Sequence, residues 1–418
     1  MSATSPAQAG WGRTRRPAPP SLQTELRIWW REIDRVLLFL VLSLMAIGTV
    51  AVAAASPASA RRLSTAGTKL PDLYFFWQHI VWQLLGIAVL LGISTLPRLR
   101  ARRLAVLLAA AMTFFLLLVP VIGHEVNGAH RWIDLGIRFQ PSEFLKASFA
   151  VTLAWVLSWR ARDPNLPVVN LAIGYTALVA ALLMMQPDLG SAIVFSGVCL
   201  VLLFMAGVSP ARIGGVMVLG ITALVAAYFL YDNARTRIDS FLGGGTAYDQ
   251  VDLAWRTLLA GGWTGSGFWL GSRKMSLPEA HTDYIFSVIG EEFGLIICAL
   301  VVLLHLAIVI RVLMRAFDAE DLFTLLATSG LGAVLGGQAF INILVNLRLF
   351  PSKGMTLPLV SYGGSSTIAI CFTVGLLLAL SRRNPHLSRT TPGLARIFGL
   401  DAAPPSTPPR AAAFERLP

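Results

Sequence analysis

Charge is what this sequence has least of. Only 13% of its 418 residues are Asp, Glu, Lys or Arg, against about a quarter in an ordinary soluble domain. The apolar residues make up 55% of the chain and come in blocks, and mean hydropathy is +0.67. A soluble globular protein is thereby excluded, and a polytopic helical membrane protein is implied. The alternating apolar–polar segments of an outer-membrane barrel are missing too. Cysteine is scarce: Cys199, Cys298 and Cys371 each fall inside an apolar block. They have neither metal-ligand spacing nor a disulfide pattern and read as small core residues. The net charge of +12 would suggest nucleic acid on a soluble chain. Here aromatics are not interleaved with the basic runs and no nucleic-acid module motif is present, so that partner is excluded; loop Arg and Lys instead set membrane topology.

What is there is a succession of ten apolar segments, at about 35–55, 77–96, 104–123, 143–159, 167–185, 189–207, 212–231, 284–310, 321–346 and 366–381. A helix needs about 20 residues to cross the hydrocarbon core. The expected fold is all-α, a membrane domain over 34–384 with about ten transmembrane helices. The Pro-, Ser- and Arg-rich stretch 1–33 and the stretch 385–418 read as disordered tails. With the N-terminus in the cytoplasm, 21 of the 34 Lys and Arg fall on the cytoplasmic side and 12 on the outer side, with Lys146 inside a segment. That places both termini inside. The stretch AAASPASA at 53–60 imitates a signal-peptidase site. The long polar region before it and the length of its apolar run favour an uncleaved spanning helix. The longest connection, 232–283, lies between the seventh and eighth helices on the outer face. Its Trp255, Trp263, Phe268 and Trp269 predict that it packs on the domain.

Ionisable residues near membrane depth are costly and are functional candidates. Four groups qualify. In NGAHRWIDLGIRFQPSEFLKASF, 127–149, Pro141-Ser142-Glu143 opens a helix, and Glu143 and Lys146 are neighbours on one face. The group is either a cap with a self-neutralising pair or a cationic site of Arg138 and Lys146, with Glu143 holding Lys146. Gln186-Pro187-Asp188 reads as a turn with Asp188 as N-cap. In HTDYIFSVIGEEFG, 281–294, Thr282 or Asp283 is a candidate cap. Asp283 and Glu291 or Glu292 are spaced to face one cavity, being close to a whole number of turns apart. In PSKGMTLPLVSYGGSS, 351–366, prolines and glycines interrupt an apolar region, either as an outer loop with a helix cap or as broken backbone buried in protein. Lys353 offers a cation, and Ser361, Ser365 and Ser366 offer hydroxyls. Three of these groups lie on outer loops. Cations, a carboxylate and hydroxyls thus gather at one membrane face, which fits an anionic, lipid-linked substrate at the outer leaflet.

The stretches NGAHRWIDLG…FQPSEFLK, QPDLGSA, LPEAHTDYIFSVIGEEFG and PSKGMTLPLVSYGGSS, spread over 127–383, closely resemble the SEDS family of cell-wall polymerases (shape, elongation, division, sporulation). Their order and length make chance similarity untenable, and the ten-helix count agrees with the family's architecture. LPEAHTDYIF and NLRLFPSKGMTLP look more like the division members than the elongation members. Where the family often has Thr and Gly, this chain has Ser352 and Arg348, the latter an extra cation at the outer surface.

The resemblance implies a peptidoglycan glycosyltransferase that polymerises lipid II, with undecaprenyl pyrophosphate as leaving group. The family's essential carboxylate falls on Asp283, and its cavity residues on Arg138, Glu143 and Lys146. His281, Glu292, Lys353, Ser361 and Ser365 are further candidates for substrate contact, His281 either orienting Asp283 or bonding the backbone. A divalent metal, Mg or Mn, is a candidate to share the pyrophosphate charge; no other cofactor is implied. The implied partners are a class B penicillin-binding protein and other division proteins, at the cytoplasmic membrane of the septum. Pyrophosphate leaves well unaided, so one base and a set of cations suffice, unlike the carboxylate pair of glycosidases. A lipid II flippase and a scaffold that only recruits the transpeptidase are the rival readings. No inverted repeat is evident, and the polar residues favour one face over the midplane, against a transporter.

Overall fold

The computed structural model describes residues 22–64, 67, 69–126, 129–134, 136, 138–241, 243, 248–352 and 354–382. The elements are α1 (Leu22–Glu32), α2 (Arg35–Leu63), α3 (Tyr74–Ser94), α4 (Arg98–Ile122), β1 (His124–Val126), β2 (Ala129–Asp134), β3 (Arg138–Phe139), α5 (Pro141–Ser158), α6 (Val168–Met184), α7 (Leu189–Met205), α8 (Pro210–Leu230), α9 (Asp232–Phe241), α10 (Tyr248–Ala260), α11 (Ile285–Phe317), α12 (Leu322–Asn346) and α13 (Gly364–Leu380). The ten apolar segments correspond in order to α2–α8 and α11–α13. Six of these helices, α2, α3, α4, α8, α11 and α12, are long and apolar enough to cross a membrane by length and composition alone. The protein is a polytopic all-α membrane protein.

Helix ends follow local chemistry. Pro141 opens α5 with Glu143 in its first turn, as Pro and acidic residues favour. Asp188 caps α7, its carboxylate accepting from the backbone N–H and the hydroxyl of Ser191 at 3.2 and 2.7 Å. The A-x-A stretch lies inside α2, where Ser56 donates to the Asp72 carbonyl at 2.6 Å. The core is built by α3 on α13, α4 on α5, and α12 against both α5 and α11. At the rim, α8 buries only Ala227 among its described residues, leaving its surface to lipid. Cys199, Cys298 and Cys371 are buried free thiols.

Two departures from regular helix shape the end of the bundle that carries Asp283. At Gly294 the backbone of α11 leaves helical values, φ +83° and ψ 173°. A Cβ there would meet the Trp263 carbonyl at 2.3 Å, so glycine is required on both counts. The groups freed by this break are satisfied by the 261–267 turn. Leu295 and Ile296 donate to Gly262 and Trp263 at 3.0 and 3.3 Å, while Glu291 and Glu292 carbonyls accept from Ser266 and Gly267 at 2.8 and 3.0 Å. The second departure is the segment 351–363. Its Pro358 carbonyl lies 3.2 Å from His305 Nε2, well along α11, and Val360 packs on Gly48 of α2, where a Cβ would be 2.7 Å from its backbone. The broken backbone is thus enclosed by helices, as its position in the membrane demands.

Residues 22–32, within the stretch expected to be a disordered tail, form α1. The two apolar positions Leu22 and Leu26 recur with Trp29 and Ile33 at helical spacing, which the Pro- and Ser-rich composition upstream concealed. Residues 1–21 and 383–418 lie outside the described set.

Candidate functional site

Asp283 sits two residues before α11 begins, in non-helical backbone. It borders a small pocket with Tyr284, Asn342, Val345, Gly354 and Met355. Its position is fixed from behind by α12. Asn342 and Asn346 donate through their side-chain amides to the Asp283 carbonyl at 2.9 and 3.1 Å, and Asn342 also donates to the Met355 carbonyl. Asn346 in turn accepts from the Ser287 N–H and hydroxyl at 3.2 and 2.7 Å. Gly354, at φ +61°, carries the opposite wall, where a Cβ would stand 3.6 Å from the Asp283 carboxylate.

One turn earlier on the same face of α12, Gln338 receives the buried cation. Lys146, 2% exposed, donates to Glu143 Oε1 at 2.7 Å and to Gln338 Oε1 at 2.9 Å. Gln338 then donates to the Thr356 carbonyl at 3.1 Å. The amides at 338, 342 and 346 form a polar ladder. It ties the Glu143–Lys146 pair of α5, the 354–356 edge and the Asp283 backbone to one helix. Arg138, on β3 just before α5, stays at the surface with its side chain 60% exposed and an ion pair to Asp134 at 3.0 Å. Arg131 on β2 donates to the Gln186 carbonyl at 3.1 Å and to that of Pro187, fastening the small sheet to the α6–α7 turn.

This arrangement holds a carboxylate at a pocket edge, tied through the amides of α12 to a buried, compensated cation, while Arg138 stays apart on β3 with Asp134. The model for the cell cycle protein family that groups FtsW, RodA and SpoVE matches residues 34–386. The chain belongs to the FtsW/RodA/SpoVE family. The probable peptidoglycan glycosyltransferase FtsW of Caulobacter vibrioides is 35% identical over 366 residues, 87% of this chain and 93% of that protein. Its namesake from Geobacter sulfurreducens is 36% identical over 371 residues, 84% and 97% of the two chains. Among solved structures, a chain of a peptidoglycan synthase complex that coordinates polymerization and crosslinking superposes with TM-score 0.67 at 30% identity, covering 84% of this chain and 98% of that one. The Thermus thermophilus rod shape determining protein RodA superposes with TM-score 0.63, also at 30% identity, over 84% and 97%.

In this family frame, several candidate residues have other employment. Glu292 does not join Asp283. It pairs with buried Lys274 and accepts from the Trp269 and Gly271 N–H groups, while Glu291 accepts from Arg273 and Lys274 N–H at 2.7 and 2.8 Å. Both carboxylates clamp the 269–274 turn. Lys274 also donates to the Ala54 carbonyl at 2.9 Å, pinning that turn to α2. His281 does not orient Asp283: its Nδ1 shares a hydrogen bond with Ser59 Oγ at 2.8 Å, its carbonyl accepts from Tyr362 N–H at 2.9 Å, and its ring packs on Phe75 and Tyr362. Burial, with the nearby His79, pushes its pKa down to about 4. Ser361 donates to the Thr282 carbonyl at 2.6 Å and accepts from Leu357 N–H at 2.8 Å, a backbone clamp. Ser365 is buried on α13, its hydroxyl without a hydrogen-bond partner among the described residues. Thr282 bonds Glu279 rather than capping α11, whose N-cap Tyr284 makes no side-chain cap bond. Lys353 lies outside the described residues.

The residues that sequence reasoning missed are Gln338, Asn342 and Asn346. Their signal was present as three amides at a spacing of four in an otherwise apolar segment. The donor set does not make a protein-held metal cage. Among the described residues no three His, Cys, Asp or Glu converge, and Glu143 is already paired with Lys146.

Proposed function

We propose that this chain polymerises lipid II into glycan strands at the outer face of the cytoplasmic membrane during cell division. Its membership of a family whose relatives are named peptidoglycan glycosyltransferase FtsW makes it a peptidoglycan glycosyltransferase. The observation that carries the mechanism is the placement of Asp283 at a cavity edge, with its backbone held by two amides of α12.

In this reading the acceptor sugar's 4-hydroxyl attacks the donor's anomeric carbon. The new oxygen–carbon bond forms as the bond from that carbon to the pyrophosphate oxygen breaks. The hydroxyl proton passes to the Asp283 carboxylate, and the pair of electrons leaves with undecaprenyl pyrophosphate. A single displacement inverts the anomeric configuration. The exposed Arg138 is the proposed contact for the pyrophosphate, which a guanidinium binds in a charge-assisted fork. Lys146, buried and compensated, supplies a fixed positive potential beneath the site and positions Gln338 and Thr356. The outer-face orientation, with both termini in the cytoplasm, follows from the distribution of Lys and Arg. A class B penicillin-binding protein is the proposed partner. That proposal is supported by the likeness to a chain of a complex that couples polymerization to crosslinking.

The test is glycan polymerisation by the purified protein with lipid II, with and without the class B partner, for wild type and Asp283→Asn. Polymer from wild type and none from a well-folded variant supports the assignment. Near wild-type polymer from Asp283→Asn removes the base role. Absence of polymer from wild type with the partner present returns the flippase, to be measured as lipid II transport across vesicles.

A further inference from the structure

Helix α1 ends just before residue 34, where the family match begins, and the polymerase reading gives it no task. By helical spacing Leu26, Trp29 and Trp30 of its 11 residues, LQTELRIWWRE, share one apolar side. Part of that side packs on the protein. Trp29 Nε1 donates to Ser94 Oγ at the end of α3 at 3.1 Å, Glu32 lies 4.0 Å from Arg382, and Ile33 is buried just beyond the helix. The margin of that side turns away from the bundle. There Leu26 and Trp30, one turn apart, are 51% and 48% exposed, and Arg27 and Arg31 follow on one side of them, also exposed.

Three further observations say what covers that face. Ser94 is the last residue of the spanning helix α3, so α1 lies at the level where the bundle leaves the hydrocarbon, continuous with its lipid-facing belt. Arg27 and Arg31 are one turn apart on α1, and Arg35, the first residue of α2, folds back on it: its Nε donates to the Trp30 carbonyl at 3.2 Å and its guanidinium lies over the Trp30 ring, 5.1 Å from its centre. The neighbouring α3–α4 turn and α4 add Arg98, Arg100, Arg102 and Arg103 at the same end. An exposed apolar strip with an arginine edge, beside the end of a spanning helix, is the chemistry of an interfacial helix on anionic lipid.

We propose that α1 lies in the bilayer surface, with Leu26 and Trp30 in the acyl boundary and the Arg27–Arg31–Arg35 edge binding anionic phospholipid headgroups. This depends on the chain spanning a membrane and not on its polymerase chemistry.

The full-length protein is tested in nanodiscs of phosphatidylcholine with and without phosphatidylglycerol. Native mass spectrometry should show phosphatidylglycerol enriched among retained lipids for wild type. In Arg27→Gln/Arg31→Gln the enrichment should fall about fivefold per arginine removed. A spin label on Leu26→Cys should be relaxed by oxygen more than by a water-soluble nickel reagent. Equal enrichment in wild type and the double variant overturns the headgroup site. A Leu26 label as open to nickel as a solvent position, or shielded from both reagents as by a protein partner, overturns the interfacial placement. Polymerisation in the same nanodiscs reports separately on the enzymatic reading.

Discussion

Asn342 donates through its side-chain amide to the main-chain oxygen of Asp283 at 2.9 Å, and to that of Met355 on the facing wall. One amide therefore sets the spacing between the carboxylate-bearing turn and the 354–356 edge. Removing it in Asn342→Leu takes the amide donor from the Met355 carbonyl, at about 1–3 kcal/mol, and leaves the Asp283 carbonyl held by Asn346 alone, which loosens the placement of Asp283. Misplacement of about 1 Å costs on the order of 100-fold in rate. The expected result is a fall in kcat of that order with KM nearly unchanged, measured with lipid II in a folded preparation. A change in KM alone would place Asn342 in substrate binding rather than in positioning.

The Glu143–Lys146 pair offers a separation of folding from catalysis. Lys146 is 2% exposed and the Glu143 side chain 12%. Lys146→Met strands a largely buried carboxylate, and breaking such a pair costs about 3–5 kcal/mol. The double variant Lys146→Met/Glu143→Gln removes both charges and should recover most of the thermal stability. If Lys146 also supplies potential to the site, polymerisation stays low in the double variant. Recovery of both would make the pair purely structural.

The ten helices were legible because the bilayer imposes a length and a composition that few other constraints mimic. Pro141 and Asp188 marked helix starts for equally local reasons. The site was legible only in part. Glu291 and Glu292 were placed with Asp283 by counting helical turns, but helical phase does not extend to Asp283, which precedes Ile285 and lies in non-helical backbone. The carboxylates instead hold the 269–274 turn, a tertiary relationship with no local signature. The ladder of Gln338, Asn342 and Asn346 was hidden because three amides among 25 residues barely lower the hydropathy of a segment. His281 drew notice by standing two residues from Asp283, yet in the turn at 281–284 nearness in sequence does not set direction, and its ring goes to Ser59, Phe75 and Tyr362.

That separation gives a prediction in pH. The buried His281 is favoured neutral, its pKa lowered to about 4, against about 6.5 when unfolded. A depressed histidine contributes stability that is complete above the unfolded value and declines as pH falls from about 6.5 toward 4. Wild type should therefore lose thermal stability through this window more steeply than His281→Gln, which has no proton to take up there. At neutral pH the variant should be modestly destabilised through its Ser59 contact while retaining far more polymerase activity than Asp283→Asn. A shift of the activity profile's acid limb in His281→Gln, with no change in stability, would instead return His281 to the chemistry.

Arg348 stands where the family often has Gly, and its backbone explains why. Its φ is +61°, in the left-handed region that costs an L-residue about 1–2 kcal/mol and glycine little. In exchange the side chain reaches Asp252 of α10 at 3.4 Å, but Asp252 also holds Arg256 at 2.7 Å. With the Arg348 side chain 40% exposed, that contact is worth at most about 1 kcal/mol. Relief of strain should match or exceed the lost pair, so Arg348→Gly should melt at or above the wild-type temperature. Arg348→Ala keeps the strain and loses the pair, and should melt below both. Thermal unfolding in detergent decides between them: if the glycine variant is as destabilised as the alanine one, the Asp252 pair rather than the backbone governs this position, and α10 depends on Arg348 for its hold on α12.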